Sequence, residues 1–160
     1  MTIPTCDIRL ATSDDTQELV GLRLKFFESQ IAAGLLDIPE SIEKTVVSTT
    51  PSIILNKRAM CLVAAAPPRL LGYVTLLTRV VPGVARPNVA SIEETYVLDE
   101  MRGTGLAAQL LEEIVGRIKG AGVDRLQLRV LAENNRGKAF WARNGFVDNV
   151  YIMEYTRALE

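Results

Sequence analysis

Apolar positions recur at helical spacing most clearly between residues 106 and 118, where Leu106, Leu110, Leu111, Ile114, Val115 and Ile118 form one stripe. Gly120 and Gly122 mark the end of that helix. A β-rich run over residues 92–97 precedes it. After it, Leu126, Leu128 and Val130 alternate with Gln127 and Arg129 over residues 125–131. Strand, helix and strand in that order predict a βαβ crossover with parallel strands.

Upstream, residues 7–11 read as a short strand with Ile8 and Leu10 on one face. Ser13 predicts the N-cap of a first helix running to about Ile31. Asp14, Asp15 and Glu18 suit its positive end, and Leu19, Leu22, Phe26 and Ile31 its buried side. Gly34 interrupts it. Pro39 and Glu40 open a second helix through Ile42, Val46 and Val47, which Thr49-Thr50-Pro51-Ser52 ends. Residues 60–66 and 71–80 form a hairpin about Pro67-Pro68-Arg69, and residues 81–87 are a loop. Residues 134–143 form a shorter helix stopped by Asn144-Gly145, and residues 146–156 supply the last strand or strand pair. The pattern predicts a mixed α/β fold: a single domain over residues 1–160, with one central sheet flanked by helices.

Composition narrows the chemistry. Net charge is −1, and no cluster of Lys and Arg suggests a nucleic-acid partner. No apolar run approaches the ~18 residues of a membrane span, and the first residues lack the charged and apolar regions of a signal peptide. The expectation is a cytoplasmic protein without nucleic-acid or membrane partners. There is no histidine, and Cys6 and Cys61 are far apart. The expectation is therefore no metal site, and no Ser-His-Asp or Cys-His system. Cys61, in the apolar run Met60-Cys61-Leu62-Val63-Ala64, reads as a small buried hydrophobe.

Between the strand and the long helix lies Asp99-Glu100-Met101-Arg102-Gly103-Thr104-Gly105-Leu106-Ala107. The first amides of a helix lack intrahelical acceptors and carry partial positive charge. Glycines let a diphosphate approach the backbone, and Arg102 adds a permanent charge. The segment predicts an anion site. Gly103-Thr104-Gly105-Leu106-Ala107-Ala108 also satisfies the dinucleotide pattern G-x-G-x-x-A, with Asp124 about twenty residues on. Context counts against a dinucleotide-binding oxidoreductase. Five residues separate the strand from Gly103, and Asp124 precedes the second strand instead of following it.

Arg102-Gly103-Thr104-Gly105-Leu106-Ala107 fits R-x-x-G-x-A. Downstream come Leu128-Arg129-Val130, Asn134, Trp141 and the Asn144-Gly145-Phe146 turn. Together these resemble the GCN5-related N-acetyltransferase (GNAT) family, which carries R/Q-x-x-G-x-G/A and a later asparagine-helix-Gly-Phe segment. The strong part spans residues 90–146. The resemblance implies acetyl-CoA as acyl donor, with Arg102, Gly103, Thr104, Gly105, Leu106 and Ala107 holding its pyrophosphate. It implies that the motif strand splays from its neighbour to admit the pantetheine arm. The amide near Val97 then polarises the thioester, and Asn134 contacts the cosubstrate.

Paired acids like Glu93 and Glu94 resemble those of the polyamine acetyltransferases, where they serve as base and amine anchor. The analogy favours Glu93 as base, through water, and Glu94 as the contact to a cationic amine. Strand alternation turns neighbours to opposite faces, so one of them faces the site. The family's usual acid is a tyrosine four residues before the Gly-Phe glycine; here that position is Trp141. Tyr96, Tyr73 or a water is left to protonate the thiolate. The family builds its acceptor pocket from segments corresponding to residues 26–38 and 81–88, and its members often form homodimers. The expected activity is transfer of acetyl from acetyl-CoA to a small cationic amine, an amino acid or a peptide amine. The loss of the tyrosine keeps open a non-catalytic acyl-CoA-binding module.

Overall fold

The computed structural model describes residues 5–34, 42–151 and 153. The chain forms two compact units, Met1–Arg129 and Val130–Glu160. In the first, five strands among the described residues make one mixed sheet whose spatial order is their order in the chain: β1 (Asp7–Leu10), β2 (Ala59–Ala66), β3 (Arg69–Val80), β4 (Asn88–Val97) and β5 (Arg125–Leu128). Pairing is antiparallel from β1 to β4 and parallel between β4 and β5. The expected crossover is present, through α3 (Leu106–Ile118).

Residues 61–65 of β2 and 70–76 of β3 are buried without a break. Successive side chains point to opposite faces, so both faces of the sheet centre are covered. Two further helices, α1 (Thr16–Ala32) and α2 (Ile42–Leu55), pack on each other; α1 lies on β3 and β4, and α2 on β2. α3 packs on β2, β3 and β4 and has no comparable contact with α1 or α2, so it covers the other face. Its stripe of Leu106, Leu110, Leu111, Ile114 and Ile118 is buried, as the periodicity predicts.

Several expectations are corrected. Ser13 is not the cap of the first helix. A 3₁₀ turn, Ser13–Asp15, precedes α1, because the Asp15 carboxylate accepts from the Thr12 amide (2.7 Å) and from Arg9 (2.7 and 2.9 Å). The second helix does not end at Thr49-Thr50-Pro51-Ser52 but runs through it to Leu55. Pro51 removes one donor to Val47, whose surroundings are open to solvent. The Val46 carbonyl is meanwhile taken by the Thr50 hydroxyl (2.7 Å) and by Arg23 (3.4 Å). The lost bond falls on the solvent side of α2, where water can take the Val47 carbonyl, so the helix passes a local breaker. The expected start at Pro39 and Glu40 lies outside the described residues. Ile31 is exposed rather than buried.

β5 stops at Leu128, shorter than the alternating run. Residues 146–151 contain no strand, since they have no ladder partner among the described residues; residues 152 and 154–156 lie outside them. The second unit contains α4 (Asn135–Arg143), which Asn144 and Gly145 terminate as expected.

Candidate active site

β4 is paired on one edge with β3 along its whole length, but its pairing with β5 ends at Ile92↔Leu128. From Glu93 to Val97 its second edge has no strand beside it among the described residues. The parting coincides with a β-bulge. Thr75 faces Glu94 and Leu76 faces Ile92, so Glu93 is the extra residue. A bulge bends its strand and raises its twist, which turns the rest of β4 away from β5. The Leu98 amide donates to the Leu71 carbonyl (2.9 Å) across to β3. Alternation along a strand then turns the Val97 and Thr95 amides the other way, to the uncovered edge. The Thr95 hydroxyl on the same stretch is buried without a hydrogen-bond partner among the described residues.

The two glutamates at the bulge have different environments. Glu93 is exposed. The Glu94 carboxylate is drawn under α1 and α2, where Arg23 grips it with Nε (2.9 Å) and Nη2 (2.7 Å) and the Tyr73 hydroxyl donates at 2.8 Å. The same guanidinium donates through Nη1 to the hydroxyls of Thr49 (3.0 Å) and Thr50 (2.9 Å). Burial works against the charge on Arg23, but the hydrogen bonds to Glu94 outweigh it and its pKa is raised. Burial, reinforced by Glu94, pushes the Tyr73 phenol well above its ordinary value. Removing one member of a buried pair strands the other, typically at a cost of about 3–5 kcal/mol.

Beyond β4 the chain makes one 3₁₀ turn, Asp99–Met101, and enters the glycine segment. Gly103 and Gly105 have φ of 76° and 94°, in the left-handed region that favours glycine. The amides of Gly103, Gly105, Ala107 and Ala108 have no acceptor among the described residues, whereas Thr104 and Leu106 are engaged locally. A Cβ on Gly103 would meet nothing within 4 Å, so that position opens to free space. Arg102 stands beside this cradle, its guanidinium 2.6 Å from the Asp99 carboxylate. Unengaged amides at a helix start, with an arginine alongside, suit a diphosphate.

Tyr96 is two residues from Glu94, on the same face, and its ring meets Phe26 edge-on at 6.5 Å. Its hydroxyl is 3.5 Å from Asp99 Oδ1. Burial, then Asp99, raise its pKa. It lines an open groove of about 410 Å³ between the end of α1 and the turn after β4, with Lys25, Glu28, Ser29 and Asp99 among the other walls. Of the segment 26–38 expected to help build the acceptor pocket, Phe26 and Phe27 are half-buried, Ile31 is exposed and Leu35 lies outside the described residues.

In the C-terminal unit, Asn134 caps α4, its Oδ1 accepting from the Gly137 amide at 2.8 Å. Trp141 packs edge-on against Phe140 (4.9 Å) and Phe146 (5.3 Å).

The first unit therefore brings together Glu93, Glu94, Tyr96, Val97 and the 102–107 turn along one strand and its exit. Arg23 is the residue that sequence reasoning missed. It carried a signal: a cation on the buried stripe of α1, beside Leu19 and Leu22, requires a carboxylate partner. Asp124 has a structural task, its carboxylate accepting from the Asn88 amide (2.9 Å) at the start of β4. Among the described residues, no three His, Cys, Asp or Glu side chains group as a metal site, and no helix is long and apolar enough to cross a membrane.

The model of the Acetyltransferase (GNAT) family matches residues 31–146. No curated protein matches the chain. Among solved structures, a tetramutant of the BH1408 protein from Bacillus halodurans superposes with a TM-score of 0.81 at 21% identity, over 94% of this chain and 99% of that one. A predicted acetyltransferase from Clostridium acetobutylicum, solved with acetyl-CoA, gives 0.78 at 18% identity, over 95% and 96%. An aminoglycoside antibiotic 6'-N-acetyltransferase from Acinetobacter haemolyticus gives 0.75 at 17% identity, over 96% and 99%.

Proposed function

Because this chain belongs to the GNAT family of acetyltransferases, we propose that it is an N-acetyltransferase that passes the acetyl group of acetyl-CoA directly to a small cationic amine. One observation carries the reading: an uncovered strand edge runs into a glycine cradle whose amides at Gly103, Gly105, Ala107 and Ala108 have no acceptor among the described residues. The edge offers backbone partners to the pantetheine arm, and the cradle with Arg102 offers donors to the pyrophosphate. The Val97 amide faces the uncovered edge and would polarise the thioester carbonyl. A preorganised donor of this kind can lower an acyl-transfer barrier by roughly 3–4 kcal/mol.

The acceptor nitrogen attacks the thioester carbon, the C–N bond forms, and the C–S bond breaks as CoA thiolate leaves. An ordinary alkylamine of pKa near 10.4 is only ~0.04% neutral at pH 7, so a base must take its proton. Glu93 is the exposed carboxylate at the bulge and acts through water. Glu94 already neutralises Arg23, so it shapes the site rather than anchoring the amine. The Tyr96 phenol, kept protonated, is the nearest acid on the strand for the thiolate. A thiol with pKa near 8.5 also leaves well unaided. The groove beside Tyr96, with Glu28 and Asp99, gives the acceptor a polar entry. The 6'-N-acetyltransferase of similar fold makes an aminoglycoside a sensible first acceptor to assay, alongside diamines, amino acids and peptide amines.

The test is calorimetric titration with acetyl-CoA, with NAD as control, followed by free-thiol release over that amine panel. Micromolar acetyl-CoA binding with thiol release for one amine class is the expected result. Binding without release from any amine would favour the non-catalytic module, which Trp141 at the usual tyrosine position supports. No binding of acetyl-CoA would overturn the reading.

A further inference from the structure

The Arg23 cluster does no chemistry in the scheme above, yet it is the densest buried polar group in the described structure. Three donors converge on Glu94, and Arg23 reaches three further oxygens on α2. Its location is informative. Glu94 is the residue immediately after the bulged Glu93, and the Glu94 amide donates to the Thr75 hydroxyl (3.0 Å). The bulge in turn sits next to Ile92, the last residue of β4 that pairs with β5. A bulge disrupts the ladder locally. Here it is supported from the side, by Thr75 at the backbone and by Arg23 and Tyr73 at the side chain.

We propose that Arg23 is a positioning residue of the acyl-CoA slot. Its two-point grip on Glu94, braced on α2 through Thr49 and Thr50, holds the β4 bulge and so sets where the Thr95 and Val97 amides stand on the uncovered edge. The proposal rests on the acetyl-CoA reading above. The planar guanidinium fork matters as well as the charge, because Nε and Nη2 hold both carboxylate oxygens while Nη1 reaches the threonines.

The decisive variant replaces both partners, Arg23→Met with Glu94→Met. Apolar residues of similar volume can replace a buried pair with little loss of stability. Thermal denaturation checks that the variant folds. Acetyl-CoA affinity by calorimetry and amide hydrogen exchange across residues 93–98 then read the edge itself. A displaced edge should weaken acetyl-CoA binding by roughly tenfold to a hundredfold. Exchange over residues 93–98 should accelerate by about tenfold relative to the rest of the sheet. The KM for the acceptor should change little. Arg23→Lys, which keeps the charge and loses the fork, should move both readouts in the same direction, and it decides the question if the double variant does not fold.

Wild-type acetyl-CoA affinity and wild-type exchange in a folded variant would overturn the positioning role while leaving the acetyltransferase reading intact. Failure of the wild-type protein to bind acetyl-CoA would overturn both.

Discussion

Gly72 offers a sharp test of how tightly the reactive edge is located. It pairs with Val97 across β3 and β4. A Cβ at Gly72 would stand 2.8 Å from the Tyr96 carbonyl oxygen and 2.8 Å from Val97 Cγ1. The valine methyl can rotate aside. The carbonyl cannot, because it is backbone, and ordinary contact starts at 3.4 Å. Gly72→Ala must therefore push β3 and β4 apart by roughly 0.6 Å, an overpacking of the kind that costs about 1–3 kcal/mol. At roughly 2–4 °C per kcal/mol for a chain of this size, the melting temperature should fall by about 2–12 °C. The same substitution at Gly116 should act in the opposite sense. Gly116 is exposed within α3 and a Cβ there meets nothing within 4 Å. Alanine should stabilise the helix by about 0.5–1 kcal/mol. The assay is paired thermal denaturation of the two variants, with calorimetric acetyl-CoA titration of the Gly72 variant. Equal stability of Gly72→Ala and wild type, with unchanged acetyl-CoA affinity, would refute the argument that the β3–β4 contact holds Val97 in place.

Asp15, held to about 2 by the Arg9 guanidinium against an ordinary value of 3.8, titrates lower folded than unfolded. Its stabilising contribution is present above pH ~3.8 and is lost as pH falls towards ~2. With Arg9 partly exposed this amounts to about 1–2 kcal/mol, and Asp15→Asn should flatten that limb of a stability–pH curve. Gly105→Ala places a side chain at φ 94°. The cost is backbone strain of about 1–2 kcal/mol, read as a lower melting temperature, together with weaker acetyl-CoA binding; wild-type values for both would remove the cradle argument. Asn134→Ala deletes the cap of α4 and should cost about 1 kcal/mol, seen as faster amide exchange at Gly137. Cys61 is buried, and that burial, then Glu94, push its thiol up to about 12. It should resist alkylation in the native protein and react once denatured, as mass spectrometry would show.

What could be read from the sequence was local. The α3 stripe, the glycine turn and the crossover each depend on residues within a few positions of one another, and their signals survive without knowledge of the rest. The position of Glu94 is not local. Its partner Arg23 lies 71 residues away, so two adjacent acids could be recognised as a pair but not divided into one exposed and one engaged. The bulge that separates them is invisible because it is a mismatch between strands. The passage of α2 through Pro51 was hidden for a related reason: it depends on the unpaired Val47 carbonyl lying on the exposed side of the packed helix, and no local propensity contains that. The Thr12–Asp15 turn was masked by Ser13, an equally good cap by composition, because the choice was made by Arg9 on the preceding strand.

The sheet has its strands side by side in the order in which they are synthesised. Each new strand can dock on a neighbour that already exists, without waiting for a later segment to fill a gap. A nascent chain that has emerged through Val97 holds every residue needed for the four antiparallel strands and for the Arg23–Glu94 contact. β5, which follows α3, then adds beside β4. Vectorial assembly of this kind keeps closure distances short between β2 and β4 and leaves β1–β2, separated by two helices, and β4–β5, separated by α3, as the long excursions. The surface that would handle the ligand is thus laid down against a framework that is already built, and a slow or failed attachment of β5 would spare the rest of the sheet.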